Sequence, residues 1–366
     1  MDIAVLGGGH GCYAAAADLA DRGFDVRLWR RDADRLEPLR EDPRLELVDA
    51  AGTRRARLEL VTADLGEALR GARLVVIPLP ATAQVALARE LAGHLEDGQV
   101  LYIPPGSFGS WAMARTLAGH GCAAEVTFAE SGTLPYLARK RDDRTVVITG
   151  RTTRLPTGAF PAARSADALA AVREAYPALE ERNDVLDAAL LNAGPIIHPP
   201  LILLNAGPIE AFERYDIHNE GTQPSVRRVH DALDAERIEL REALGYGPPH
   251  FPLCDHYDAG GEEWMYGDLA HDRLVDSDNW REPLDLRRHR YMLEDVGCGL
   301  AFLVSLAEWA GVPCPVAGGL LAVASAVVGE DLRRTGRTLE SLGLADLDRD
   351  ALAGLLADGL APGVRL

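Results

Sequence analysis

A single histidine, His198, stands between two copies of Leu-Leu-Asn-Ala-Gly-Pro-Ile, at 190–196 and 203–209, and is followed by Pro199 and Pro200. An imidazole titrates near neutral pH and can pass a proton to a carbonyl oxygen. Further along, Arg-Tyr-Met-Leu-Glu-Asp-Val runs from Arg290 to Val296. It offers a guanidinium, whose planar fork fits a carboxylate, and two acids. On an ideal helix Arg290 pairs with Glu294 at i+4 rather than with Asp295, which by itself nominates a surface salt bridge. A third constellation, Gly-Gly-Gly-His-Gly-Cys at 7–12, has the composition of a phosphate-cradling turn.

The repeat around His198 is not an architectural unit. Its copies are 13 residues apart, so in one continuous helix Asn205 would be rotated about 140° from Asn192. Solenoid repeats are longer and more numerous. Pro195, Pro199 and Pro200 break a single helix and leave His198 at an irregular junction, where helix ends expose polar backbone. From the residues alone, a satisfied interior histidine and a site residue fit equally well.

The elements that must position these residues begin at the N-terminus. Asp2 to Leu6 reads as a strand, Tyr13 to Arg22 as an alanine-rich helix and Phe24 to Trp29 as a second strand. Gly7 and Gly9 fit the first two glycines of a dinucleotide fingerprint, one for the tight turn and one for close approach of a pyrophosphate to the helix N-terminus. Cys12 takes the third position, which governs helix packing and accepts small residues. Gly7, Gly9, His10 and Gly11, with Pro78 at the end of a later strand, are the candidate cofactor contacts. Arg30 and Arg31 end the second strand, where a 2′-phosphate would sit. They favour NADP, with NAD as the alternative, because Asp32 follows closely and two solvated arginines would look the same.

The apolar runs Ala72 to Pro80 and Gln99 to Gly106 suit buried parallel strands. "AEVTFAESGTLPYLARK" and "RTVVITG" supply two more. Residues 1–163 are thus predicted as an α/β domain of Rossmann type, a doubly wound parallel sheet ending in a Thr/Pro/Gly-rich linker at 151–163. Residues 164–366 are predicted to be mostly α-helical, with a long amphipathic helix over Ser225 to Leu244, an apolar one over Met292 to Ala310 and another from Gly318.

Composition narrows the function classes. A formal net charge of −18 repels nucleic acid over most of the surface. Five scattered cysteines without a CxxC pair fit a reducing compartment. The N-terminus starts a strand at once and no clean membrane span follows, so the protein is expected to be cytoplasmic.

The N-terminal VLGGGHG, the run ESGTLPY, the block LLNAGPIIHPP and the late RYMLEDVGCGL, in this order ahead of and within a helical second half, resemble the octopine/nopaline family of opine dehydrogenases. Members of that family use NADH or NADPH to join the amine of an amino acid to a 2-oxo acid, reducing the imine between them to a secondary amine. The resemblance implies that His198 is the catalytic acid/base, Asp295 its orienting carboxylate and Arg290 the holder of the oxo acid's carboxylate. It also implies a nicotinamide facing these groups across an interdomain cleft. Thr133 and Asn192 match family positions near substrate and cofactor, although capping and turn roles fit them equally.

Two other readings stay open: a reductase of an internal carbonyl or cyclic imine in a biosynthetic pathway, and an NADP-binding sensor without turnover. Retention of His198, Arg290 and Asp295 argues against the sensor. The acidic segment 253–280 suits a lid over a polar amine, or a solvated loop. A metal at Asp255, His256 and Asp258 lacks any ligand motif, and none is expected. The partners expected are small molecules, an amino acid or other amine with a 2-oxo acid. The apolar helix Pro315 to Val328 suits a homodimer interface and a domain core alike.

Overall fold

The computed structural model describes residues 1–258, 260–267, 270–276, 281 and 283–360. The chain divides into two compact units. One comprises 1–79, 83–188 and 353–360; the other comprises Pro80–Thr82 and the described residues of Ala189–Leu352.

Among the described residues the first unit carries twelve strands: β1 (Asp2–Leu6), β2 (Asp25–Trp29), β3 (Arg44–Asp49), β4 (Gly52–Arg57), β5 (Leu60–Thr62), β6 (Leu74–Val76), β7 (Val100–Ile103), β8 (Thr127–Ser131), β9 (Tyr136–Lys140), β10 (Thr145–Arg151), β11 (Leu155–Phe160) and β12 (Leu179–Glu181). Eight form one sheet in the order β12-β11-β8-β7-β6-β1-β2-β5. Every pairing in it is parallel except β8 with β11. The central strands β1, β6 and β7 are continuous buried apolar runs, as strands covered on both faces must be. Helix α1 (His10–Asp21) packs against β1 and β2 of this sheet and against β3, β4, β9 and β10, and the small side chains of its buried alanines permit that close approach.

The sequence expectation needs two corrections here. "AEVTFAESGTLPYLARK" is two strands in different sheets: β8 in the large sheet, and β9 in a four-stranded sheet ordered β4-β3-β10-β9. Gly132 and Pro135 separate them. The stretch 151–163 is not a linker either. β11 lies inside it with all six residues buried, paired to both β8 and β12. Its glycine and proline mislead because their role is packing. A Cβ on Gly158 would stand 1.8 Å from the carbonyl oxygen of Asp184. The boundary of the first unit therefore falls near residue 188 rather than 163.

The second unit is helical. Its site-bearing elements are α2 (Gly194–Leu204) and a π-helical stretch, Tyr291–Leu300, that continues into α4 (Ala301–Ala310). The long α3 (Pro224–Ala243) braces them. Buried Arg237 on α3 donates to the Leu190 carbonyl at 3.1 Å, just ahead of α2, and pairs with Asp234 at 2.6 Å. Glu236 accepts from the first amides of α5 (Pro315–Val328) at 2.7 and 2.8 Å, meeting that helix's exposed N–H groups with a negative charge. The run Val185–Leu204 is long and apolar enough to cross a membrane by length and composition, but 78% of its most apolar stretch is buried, as in a core helix.

His230 on α3 is fully buried. Its Nε2 donates to the Ile197 carbonyl at 2.9 Å, leaving Nδ1 to accept from the Tyr257 hydroxyl at 3.2 Å. Burial lowers its pKa from 6.5 to about 4. A depressed folded-state value gives stability that is present above pH 6.5 and lost as pH falls toward 4. Between about pH 7 and pH 5 this histidine is expected to remove about 2 kcal/mol. Denaturant melts of the wild type and His230→Gln at the two pH values should show a shallower pH dependence in the variant; identical slopes would mean that His230 is protonated in the fold.

Candidate active site

The two copies of Asn-Ala-Gly-Pro-Ile each start a helix: α2 at Gly194, and a short turn at Ala206–Ala211. This accounts for the repeat. Asn192 Oδ1 accepts from the Gly194 amide at 3.0 Å, closing a turn ahead of α2. The break that the prolines announce falls at Asn205, not at His198. His198 lies inside α2, with Pro199 and Pro200 also helical. These two prolines remove the amides that would bond the carbonyls of Pro195 and Ile196.

His198 Nδ1 stands 2.8 Å from Asp295 Oδ2; the side chains are 15% and 8% exposed. The two atoms are at hydrogen-bond distance but out of hydrogen-bond alignment, and among the described residues neither has another aligned partner. Contacts of this kind tighten when a substrate complex forms. Tyr291 stacks on the imidazole at 3.9 Å and 19°, fixing its plane, and His218 meets it edge-on at 5.7 Å. Gly194 leaves room for the acid: a Cβ there would sit 2.2 Å from Asp295 Oδ1.

The winding of the second element resolves the spacing of Arg290. In a π-helix, hydrogen bonds run from i to i+5, so residues four and five apart share a face. Arg290 thus reaches Glu294, at 4.0 Å, and also acts on Asp295. Its side chain is 49% exposed, leaving the fork open to solvent. Glu294 is turned inward, accepting from the Ala81 amide at 2.9 Å.

Burial raises the carboxyls of Asp295 and Glu294, and Arg290 opposes both shifts. Burial, then Arg290, lowers His198 well below its usual value. These directions resist charge on either member of the dyad. The 2.8 Å approach acts the other way, since imidazolium and carboxylate stabilise one another at that distance. The proton therefore belongs to the pair, which titrates as one unit.

In the first unit, Gly7 adopts φ +124° and its amide bonds the Trp29 carbonyl at 2.8 Å. Gly9 precedes α1, with no side-chain cap on the helix and, among the described residues, nothing within 4 Å of where its Cβ would be. Open backbone at the N-terminus of a twelve-residue helix fits a pyrophosphate. Gly11 lies against Leu134 and Pro78. The buried Cys12 thiol faces the carbonyls of Leu6 and Pro78 at 3.5 and 3.7 Å, a packing role. His10 Nδ1 accepts from the Lys140 amide at 2.9 Å.

Arg30 lies over this turn, whereas Arg31 is drawn away to Glu90 at 2.6 Å. Thr133 is buried just after β8, and its carbonyl accepts from the Ser131 hydroxyl at 2.8 Å. The second unit thus brings together His198, Asp295, Arg290 and Asn192. Gly194, Tyr291 and Glu294 are members that sequence reasoning missed; the Gly-Pro recurring in the repeat was the one available signal. Among the described residues no three His, Cys, Asp or Glu converge as metal ligands, so Asp255, His256 and Asp258 form no such site. Residues 259, 268–269 and 277–280 of the acidic segment lie outside the described residues.

A parallel sheet with a glycine turn at a helix N-terminus, together with a histidine–aspartate dyad, is the equipment of a nicotinamide-dependent dehydrogenase. Residues 2–104 match the NAD-dependent glycerol-3-phosphate dehydrogenase N-terminus, and residues 181–328 match the alpha-helical domain of NAD/NADP octopine/nopaline dehydrogenase. An opine dehydrogenase of Arthrobacter sp. (strain 1C) is 31% identical over 353 residues, covering 94% of this chain and 95% of that protein. Among solved structures, an octopine dehydrogenase in complex with NADH and agmatine superposes with a TM-score of 0.75 at 19% identity, covering 98% of each chain. A yersinopine dehydrogenase bound to NADP+ gives a TM-score of 0.64 at 18% identity, again over 98% of each chain. The chain belongs to the opine dehydrogenase family. It is an NAD(P)-dependent oxidoreductase acting on CH–NH bonds, and its reaction is the reductive condensation of an amino acid with a 2-oxo acid.

Proposed function

We propose that His198 and Asp295 form the acid–base pair of this condensation and that Arg290 holds the carboxylate of the 2-oxo acid. The observation that carries the assignment is the 2.8 Å His198–Asp295 approach on a face that also presents the half-exposed Arg290. With Nδ1 turned to Asp295, Nε2 is the working atom. It takes a proton from the adding amine and returns one to the former carbonyl oxygen, which leaves as water carrying the two hydrogens that the amine nitrogen gives up, so that the C–O bond is broken and the C=N bond of the imine is left. The nicotinamide supplies the hydride when bound. Arg290 orients the oxo acid by its planar fork and, as a cation, favours the anionic substrate.

The reading extends to a free amino acid or simple amine as donor and to a reducing, cytoplasmic setting. The latter is supported by five free cysteines. Thr133 and Asn192 are kept as substrate-side residues, Asn192 acting through the turn that starts α2.

The test is nicotinamide oxidation with NADPH and NADH in parallel, against a panel of 2-oxo acids with and without amino acids. Oxidation that needs both partners, with a secondary amine detected by mass spectrometry, supports the reading. Oxidation with the oxo acid alone makes the protein a ketone reductase. Silence despite nucleotide binding moves the assignment to an internal imine.

A further inference from the structure

The glycine turn carries an ion cluster that the pyrophosphate does not require. Arg30 follows β2, the position that faces the ribose 2′ group in this type of fold. Its side chain is folded back over the turn, so that a Cβ on Gly8 would be 2.6 Å from its Nε. Its Nη1 stands 2.9 Å from Asp143 Oδ1 and 3.4 Å from the Tyr13 hydroxyl. Lys140 Nζ reaches the same carboxylate oxygen at 2.7 Å and the Gly8 carbonyl at 3.2 Å. Arg35 Nη1 reaches the other oxygen, Oδ2, at 3.3 Å. Three cations therefore share one acid, which comes from the β9–β10 hairpin and not from the end of β2.

We propose that Asp143 is the cofactor-selecting residue of this protein: an internal anion that occupies the cations a 2′-phosphate would use, and so holds the preference between NADPH and NADH close to parity. The proposal rests on the dinucleotide reading of the glycine turn. Its physical basis is competition. Arg30 and Arg35 cannot give the same N–H groups to Asp143 and to a phosphate, and a carboxylate beside the phosphate repels it. Burial alone would raise the carboxyl of Asp143; Lys140, Arg30 and Arg35 outweigh burial and hold it down at about 2. The competitor is thus charged at every working pH. Arg35 is 63% exposed and free to swing, whereas Arg30 is 17% exposed and pinned to the turn. A 2′-phosphate would recruit Arg35 first.

Dissociation constants for NADPH and NADH, read from nicotinamide fluorescence with the whole chain, test this without turnover. Asp143→Asn is expected to tighten NADPH about tenfold and to change NADH less than about twofold, the scale of one unit charge removed at a partly solvated site. An unchanged NADPH-to-NADH ratio, or weaker NADPH binding by a folded variant, overturns the assignment. Arg35→Gln keeps the proposal open to refutation should Asp143→Asn misfold. It should weaken NADPH about threefold and leave NADH unmoved, by loss of a partly screened charge contact; equal effects on the two nucleotides overturn the proposal. If the unaltered protein binds neither nucleotide, the dinucleotide reading falls and this one with it. If it binds both while the variants leave the ratio in place, Asp143 alone has been misassigned.

Discussion

Replacing His198 with alanine is expected to lower kcat about a thousandfold or more while nucleotide affinity stays at the wild-type value. The size follows from what is lost. A positioned acid–base group contributes about 10² to 10⁴ in rate, and among the described residues His198 is the imidazole in contact with Asp295. The glycine turn belongs to the first unit and His198 to the second, so the substitution leaves the turn itself untouched. Truncation also leaves the Tyr291 ring without its stacking partner and Asp295 without the group facing it. His198→Gln, which fills more of the space, is therefore the companion variant. If both variants bind NADPH normally and both are slow, the loss lies in proton transfer; wild-type turnover in either folded variant would remove His198 from the mechanism.

The dyad was legible in the sequence through its motifs, and its geometry was not. The spacing rule for an α-helix pairs Arg290 with Glu294, and only the π winding of Tyr291–Leu300 brings Asp295 to the same face. Such winding has no reliable signature in residue types, since it depends on what packs against it. Here that is α2, with Pro195 so close to Gly299 that a Cβ would stand 2.1 Å from its Cγ. The prolines around His198 were misread for a related reason. Each lowers helix stability locally, but in a helix held by tertiary packing that loss is offset by burial, and Pro199 and Pro200 are both buried.

Composition misled once more at β11. Thr, Pro and Gly signal loops on average, while here Gly158 serves a backbone contact that no other residue could make. The central β1–α1–β2 unit was readable because its signals are local: apolar runs, a positive-φ glycine and an alanine face. The cluster of Arg30, Arg35, Lys140 and Asp143 joins residues up to 113 positions apart, and nothing local announces it.

Asp295→Asn should lower kcat by about 10² to 10⁴ without lowering the melting temperature. The two halves of this expectation have different causes. An asparagine that turns its amide N–H toward Nδ1 makes that nitrogen an acceptor and moves the imidazole proton to Nε2. The working atom is then a donor where a lone pair is needed, and the tautomer is wrong for half of the proton cycle. Stability responds to burial instead. The Asp295 carboxyl is raised because charge is unfavourable in its surroundings, so the folded state holds a proton that the unfolded chain has released. A raised value gives stability that is present below the ordinary carboxylate range and lost as pH rises through the folded-state value. The neutral amide escapes that loss. Relative to the wild type, Asp295→Asn should therefore gain stability as pH increases from about 4 toward neutrality. Melting curves and steady-state rates over the same pH series separate the alternatives. Slow turnover in a protein that melts at or above the wild-type temperature assigns Asp295 to orienting His198. Loss of rate and melting temperature together would make it a structural acid, and the tautomer of His198 would have to be set by another hydrogen-bonding group.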